Sequence, residues 1–229
     1  MDRKTRVGVV GLGAMGFGMA ATLARAGFAV TGYDLSAGKA EAAAEAGFGF
    51  VSEPGELFAS SERIVFSLPT AQDVAAMLEA HAATIGTQAE GRVILIDTST
   101  SEPDVSRALA RRLADAGHGF LDAPVSGGPA GAASGKLTMM IGGDEADLAE
   151  ARAVVEALAA KILHVGPSGA GNVAKLVNNL LVAAHMLTTQ EALKLAVGAG
   201  VEPESVLRVL NAATGRSAIS EIHFPNWVM

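Results

Sequence analysis

The sequence predicts an α/β fold: a doubly wound, mainly parallel sheet followed by an all-helical segment. Three observations predict it. Short apolar runs without polar alternation recur along residues 1–166, as strands buried on both faces require. Helix-period segments separate these runs, as parallel crossovers require. After Gly166-Pro167-Ser168 the short runs cease and only helical periodicity remains.

The apolar runs are Val7–Val10, Ala29–Tyr33, Arg63–Leu68, Val93–Asp97 and Gly119–Asp122. Between them, helices are predicted over Met15–Ala26, Ala37–Ala46, Ala71–Ala80 and Pro103–Ala116. A further strand is expected at Lys136–Ile141, stopped by Gly142-Gly143. A helix over Glu145–Ala159 follows, with Asp144 at its N-cap, and then a strand over Ile162–Val165. The first domain is therefore expected to span residues 1–166. The second, residues 167–229, opens with one long helix over Gly171–Val197, ended by Gly198 and Gly200. Pro203 starts another helix that runs to Ala212. The last residues, Phe224-Pro225-Asn226-Trp227-Val228-Met229, read as the middle of an element, so the helical domain is expected to be truncated here.

Composition narrows the function classes. The 229 residues are 50% apolar, enough for one large domain and part of another. With 24 acidic and 17 basic residues the net charge is -7, which argues against a general nucleic-acid binder. A local basic group can still hold an anionic substrate. The absence of cysteine excludes disulfides and Cys-ligated metals and suits a reducing cytoplasm, the expected location. The start, Met1-Asp2-Arg3-Lys4-Thr5-Arg6, lacks the apolar stretch of a signal peptide. No apolar run approaches the roughly 18 residues of a membrane span, so no membrane partner is expected.

Gly11-Leu12-Gly13-Ala14-Met15-Gly16 is a GxGxxG loop between a strand and a helix. Gly11 permits the tight turn, Gly13 lets backbone approach a pyrophosphate, and Gly16 lets the helix pack closely on the sheet. The helix start then points free N–H groups at the phosphates. Asp34 ends the second strand about 20 residues further on, where a carboxylate accepts the adenine ribose hydroxyls and repels the 2′-phosphate of NADP. Lys39 is the nearest basic residue after it, so NAD is expected rather than NADP. Gly11 through Gly16 and Asp34 are the first cofactor residues.

In such a sheet the ligand lies outside the carboxyl ends of the strands. Ser67-Leu68-Pro69-Thr70 follows one of them; Leu68 and Pro69 are expected against the cofactor, with Thr70 as a helix cap. Asp97-Thr98-Ser99-Thr100-Ser101 follows the next; Ser99 and Thr98 are the better placed to touch a ligand, and Thr100 is a candidate cofactor group, although Thr100 or Ser101 can instead cap the helix before Pro103. Asp122-Ala123-Pro124-Val125-Ser126-Gly127-Gly128-Pro129 follows a third. Its Ser126, Gly127 and Gly128 can expose a hydroxyl and successive N–H groups, a nest for a carboxylate, or can form a plain Gly/Pro turn.

On the long helix Asn172, Lys175 and Asn179 share one face, which turns apolar at Ala183 and Met186. Hydride removal from an alcohol needs a group to take the hydroxyl proton, and Lys175 can do this if burial lowers its pKa. The alternative is a lysine that snorkels to solvent. His118 and His164 are rival bases but are expected near strand starts, at the wrong edge of the sheet. His185 lies roughly 15 Å further along the helix. No His/Asp/Glu cluster in the sequence suggests a metal.

Four stretches at ordered spacing resemble the 3-hydroxyisobutyrate (β-hydroxyacid) dehydrogenase family: GLGAMGFGMA from Gly11, DTSTSEP from Asp97, DAPVSGGPAGAASGKLTMMIGG from Asp122 and GAGNVAKLVNN from Gly169. The resemblance implies a Rossmann-type domain joined through the long helix to a helical one. It implies that Lys175 is the catalytic acid/base and that Ser99, Ser126, Gly127, Gly128 and Asn179 hold a small hydroxy-acid substrate. It also implies a homodimer or homotetramer formed through the helical domain. Thr214 to Glu221 is expected near the distal end of the substrate, where Arg216 and Ser217 suit a polar or acidic group. Candidates are 3-hydroxyisobutyrate, tartronate semialdehyde and a sugar acid such as threonate. Three other readings share parts of the pattern. A 6-phosphogluconate dehydrogenase normally has His-Asn where Asn178-Asn179 stands here. An imine reductase typically lacks the lysine. A non-catalytic NAD(P)-binding protein has no use for Lys175 beside Ser99 and Ser126.

Overall fold

The computed structural model describes residues 4–89 and 91–228. Met229 and the side chains of residues 226–228, on which the expectation of a truncated ending partly rests, lie outside the described residues. The chain divides into two compact units, Met1–Lys175 and Leu176–Met229.

The first unit opens with β1 (Arg6–Val10), α1 (Ala14–Arg25), β2 (Ala29–Tyr33), a 3-10 turn at Ala37–Lys39, α2 (Ala40–Glu45), β3 (Gly49–Val51) and α3 (Pro54–Ser60). It continues with β4 (Arg63–Phe66), α4 (Ala71–His81), β5 (Ile94–Asp97), α5 (Pro103–Asp115) and β6 (Gly119–Asp122). Then come β7 (Val125–Ser126), α6 (Gly128–Ser134), β8 (Leu137–Gly142), α7 (Glu145–Leu158) and β9 (Ala159–Gly166). The helix α8 (Ala170–Gly198) begins in the first unit and continues into the second. The second unit adds α9 (Pro203–Ala212) and π-helical turns over Ile219–Val228.

The strands lie in the order β3-β2-β1-β4-β5-β6-β8-β7, with β9 on β8. From β3 to β6 every pairing is parallel; β8 runs antiparallel to β6 and β7, and β9 is parallel to β8. The expectation of a mainly parallel sheet holds.

Two apolar clusters explain the unbroken strand runs. Val9, Val65, Ile94, Ile96 and Leu121 pack on one face with Met19, Leu23 and Val154 of α1 and α7. Their strand neighbours Val10, Ile64, Phe66, Leu95 and Phe120 pack on the other with Leu57, Val74, Leu78 and Leu109 of α3, α4 and α5. Successive residues point to opposite faces, and both faces are covered, so the middles of the central strands are apolar and polar residues fall only at their ends, as Arg63, Asp97 and Asp122 do. Burying each such side chain contributes about 1.5–3 kcal/mol.

The structure adds elements that the sequence reading lacks: β3, α3, β7 and α6. The helix expected over Ala37–Ala46 is a 3-10 turn followed by the short α2. His164 is not near a strand start: β9 begins at Ala159, directly from α7, so His164 falls near its end, where Nε2 lies 2.9 Å from the Gly143 carbonyl.

Candidate functional site

The carboxyl ends of β1, β2, β4, β5 and β6 share one edge of the sheet, and the chain direction of the crossovers reverses between β1 and β4. A crevice opens at such a point because the loops after the two strands turn away to opposite faces. The cleft found there has a volume of about 800 Å³. Its wall includes Gly11, Gly13, Ala14 and Met15 after β1, Asp34 after β2, and Leu68 and Pro69 after β4.

The glycine loop has the local geometry that its spacing predicts. Gly11 has φ +91, the left-handed region, and a Cβ on it would collide with the Ser67 carbonyl oxygen. A Cβ on Gly16 would run into the carbonyl oxygen of Gly11. Gly13 caps α1 with extended backbone, and a Cβ added there meets nothing within 4 Å. The space over the first turn of α1 is thus open, no acidic side chain lies in that turn, and its N–H groups are free for phosphate.

Asp34 is already oriented. Its Oδ2 accepts the Leu12 N–H at 2.7 Å and its Oδ1 the Ser36 N–H at 2.9 Å. Each oxygen keeps a further lone pair for a diol. A dinucleotide therefore fits the residues present: an open, N–H-rich helix start and a fixed carboxylate along one cleft. Leu12 itself is fully buried and serves Asp34 only through its backbone, and Gly16 is buried behind the loop. Thr100 is exposed and lies off the cleft lining. The far wall, Pro54 and Ala76, Met77, Ala80 and His81 on α3 and α4, is missing from the sequence reading. Those residues carry no motif; only the crossover geometry brings α4 to the cleft.

Ser99 connects this half of the site to the next. Its Oγ accepts the Leu68 N–H at 3.0 Å, and its own N–H donates to Asp97 Oδ1 at 2.9 Å. The loops after β4 and β5 are thereby held together. Asp97 is wholly buried, and that burial pushes its pKa up to about 6, against the opposing effect of the Ser99 hydrogen bonds. Asp122, its cross-strand neighbour on β6, is also buried and also raised, with backbone N–H groups of the α8 start opposing the shift.

Ser126 is half-buried on β7 and pairs across to Thr138. Gly127 (φ +128) and Gly128 (φ +62) are exposed and make the turn that opens α6. A side chain at either would be strained, so the loop keeps bare N–H groups. Lys175 is half-buried on α8, and burial pushes its pKa down. It makes no hydrogen bond or ion pair among the described residues, so nothing local restores the charged form. Asn172 does not share the open face with Lys175: it is fully buried and bonded into the first unit. Asn179, one turn beyond Lys175 on the same helix, is exposed. In the second unit Arg216 lies 3.5 Å from Glu221, and the Ser217 N–H donates to Ser220 Oγ at 3.0 Å.

Residues 6–166 match the family described as the NAD binding domain of 6-phosphogluconate dehydrogenase. Residues 169–229 match that described as NAD-binding of NADP-dependent 3-hydroxyisobutyrate dehydrogenase. The mitochondrial 3-hydroxyisobutyrate dehydrogenase of Mus musculus is 36% identical over 225 residues, which cover 98% of this chain and 67% of that protein. L-threonate dehydrogenase of Cupriavidus necator is 37% identical, covering 96% of this chain and 74% of the relative. Among solved structures, Mycobacterium tuberculosis 3-hydroxyisobutyrate dehydrogenase with L-serine superposes with a TM-score of 0.89 at 35% identity, covering 96% of this chain and 74% of the other.

Proposed function

Since the chain belongs to the 3-hydroxyisobutyrate dehydrogenase family, we propose that it interconverts a small β-hydroxy acid and its semialdehyde, using NAD, with Lys175 as the general acid/base. The observation that carries this is the state of Lys175: half-buried, pKa lowered by burial, and without an ion-pair partner among the described residues.

Bound NAD supplies the hydride acceptor for oxidation and, as NADH, the donor for reduction. The N–H groups of the α1 start hold the pyrophosphate, and Asp34 holds the adenine ribose. The Asp34 carboxylate supports NAD over NADP, because it would face the 2′-phosphate at close range. Ser126 with the N–H groups of Gly127 and Gly128 binds the substrate carboxylate. Ser99 and Asn179 hold the substrate hydroxyl. As the carbon–hydrogen bond breaks, the hydroxyl proton passes to the neutral Nζ of Lys175; in reduction the ammonium returns it to the forming alkoxide.

A homodimer or homotetramer and a cytoplasmic location belong to the same proposal. The first is supported by the exposed leucines and valines of α8, the second by the lack of cysteine. Among the described residues no helix is long and apolar enough to cross a membrane.

The test is NADH formation by the purified protein at alkaline pH against 3-hydroxyisobutyrate, threonate and related acids, with NADP in parallel. NADH oxidation with tartronate semialdehyde covers the reductive direction. Turnover with NAD that is lost in Lys175→Ala, with NAD binding retained, is the expected result. NAD binding without turnover of any hydroxy acid or semialdehyde would move imine reduction or a binding-only role to the front.

A further inference from the structure

Lys175 has no tether of its own among the described residues, so its position is inherited from the first turn of α8. That turn is fixed to an unusual degree. The first N–H groups of a helix have no partner inside it and need acceptors from elsewhere. Here the Ala170 N–H finds the local Pro167 carbonyl at 2.9 Å, and the N–H groups on either side of it are taken by Asp122, at the end of β6. Asp122 Oδ1 accepts the Gly169 N–H at 2.7 Å, and Oδ2 accepts the Asn172 N–H at 2.9 Å. A carboxylate suits this better than an amide because both of its oxygens accept, and its charge complements the positive end of the helix dipole.

Asn172 then turns the same point of the helix into a second anchor. Its Oδ1 accepts the Ser101 N–H at 2.8 Å, and its Nδ2 donates to Ser106 Oγ at 3.0 Å. The loop after β5, the first turn of α5 and the end of β6 therefore all meet at one turn of α8. Two glycines permit this contact. A Cβ on Gly142 would lie 2.6 Å from Asp122 Oδ1 and 2.7 Å from the Gly171 nitrogen. One on Gly171 would lie 2.5 Å from the Met140 carbonyl oxygen. The helix start has no room to slide along the strand ends, and Lys175 stands one turn above the lock.

We propose that Asp122 is the positioning residue for Lys175, acting through its grip on the Gly169 and Asn172 N–H groups together with the Asn172 side chain. This rests on the reading of Lys175 as the acid/base. Loss of the lock frees the first turn of α8 to shift, and a shift of about 1 Å in a catalytic group costs on the order of 100-fold in rate.

The experiment compares Asp122→Asn, Asn172→Ala and Lys175→Ala with the parent protein. Three quantities are read: NAD affinity, kcat and KM for the best acid, and the pH midpoint at which Lys175 is acylated, followed by mass spectrometry. For Asp122→Asn and Asn172→Ala the expected result is a fall in kcat of about 10- to 100-fold. NAD affinity is expected within about twofold of the parent, because the glycine loop and Asp34 are untouched. The acylation midpoint of Lys175 is expected to rise toward the ordinary lysine value, as water reaches a lysine no longer held in place. An unchanged midpoint and kcat in both variants overturns the proposal. So does a parallel loss of NAD affinity, which would mark a general loosening of the domain. If Asp122→Asn does not fold, Asn172→Ala decides alone. Turnover surviving in Lys175→Ala would remove the acid/base reading, and the acylation midpoint would still report whether Asp122 positions the lysine.

Discussion

The acid/base role proposed for Lys175 rests on where it sits. Burial without a partner among the described residues favours the neutral amine, the form that accepts a proton. Oxidation of the hydroxy acid should therefore rise with pH and level off at a midpoint below the ordinary lysine value of about 10.4. Reduction, which needs the ammonium, should fall through the same midpoint. Initial rates in both directions across the alkaline range check this; a midpoint at the ordinary value sinks it. In the proposed function Asp34 carries cofactor choice, with NAD preferred. Asp34→Ser removes the carboxylate that faces a 2′-phosphate, so the preference for NAD over NADP should shrink by about 10-fold or more, roughly the 1.4 kcal/mol that a tenfold ratio represents. Parallel titrations with both cofactors measure it.

Asp97 gives a stability signature at the same scale. Its folded pKa of about 6 lies above the unfolded carboxylate value. The folded state therefore holds the extra proton between the two values, and the stabilisation this gives is lost as pH rises through the folded pKa. Relative to Asp97→Asn, the parent protein should lose up to about 3 kcal/mol between about pH 4 and about pH 7. Denaturant unfolding of both at the two pH values tests this; an equal gap at both refutes it.

At the level of elements, the short ones depend on their neighbours. The sequence of α6, GPAGAAS, reads as a turn. It is helical because α1 supplies what it lacks. Thr22 Oγ1 donates to the Ala132 carbonyl at 2.8 Å and Arg25 Nη2 to the Ala133 carbonyl at 2.5 Å, satisfying the helix end. Gly18 lets the two helices touch: a Cβ there would lie 3.0 Å from the Ala133 nitrogen. Gly18→Ala should push α6 away and cost about 1–3 kcal/mol in thermal or denaturant unfolding. Because α6 opens on the Ser126-Gly127-Gly128 turn, the same change should raise KM for the acid more than KM for NAD. By contrast, α4 announces itself, since Thr70 and Asp73 form a capping box. The long helices and the central strands were legible for the same reason: each carries enough residues to display its period.

At the scale of the molecule, α8 exposes Leu180 (69%), Leu187 (65%) and Leu195 (78%). An assembly through the helical part would bury them. Leu180→Glu with Leu187→Glu should then shift the protein to smaller species in sedimentation, with the NAD cleft unaffected; an unchanged mass would count against that interface.

Gly11 to Gly16, Asp34, the apolar strand runs and Lys175 all stand in the sequence, because a tight turn, a strand buried on both faces and a lysine with no acidic residue near it in its helix each leave a local mark. The sequence thereby determined the fold class and the glycine loop with the acid that follows it. Tertiary structure decided what has no local mark. It brought the α4 wall to the cleft and turned Asn172 inward to Ser101 and Ser106. It also set Asp122 under the start of α8, since hydrogen bonds between residues about 50 apart in the chain exist only once the sheet has ordered its strands.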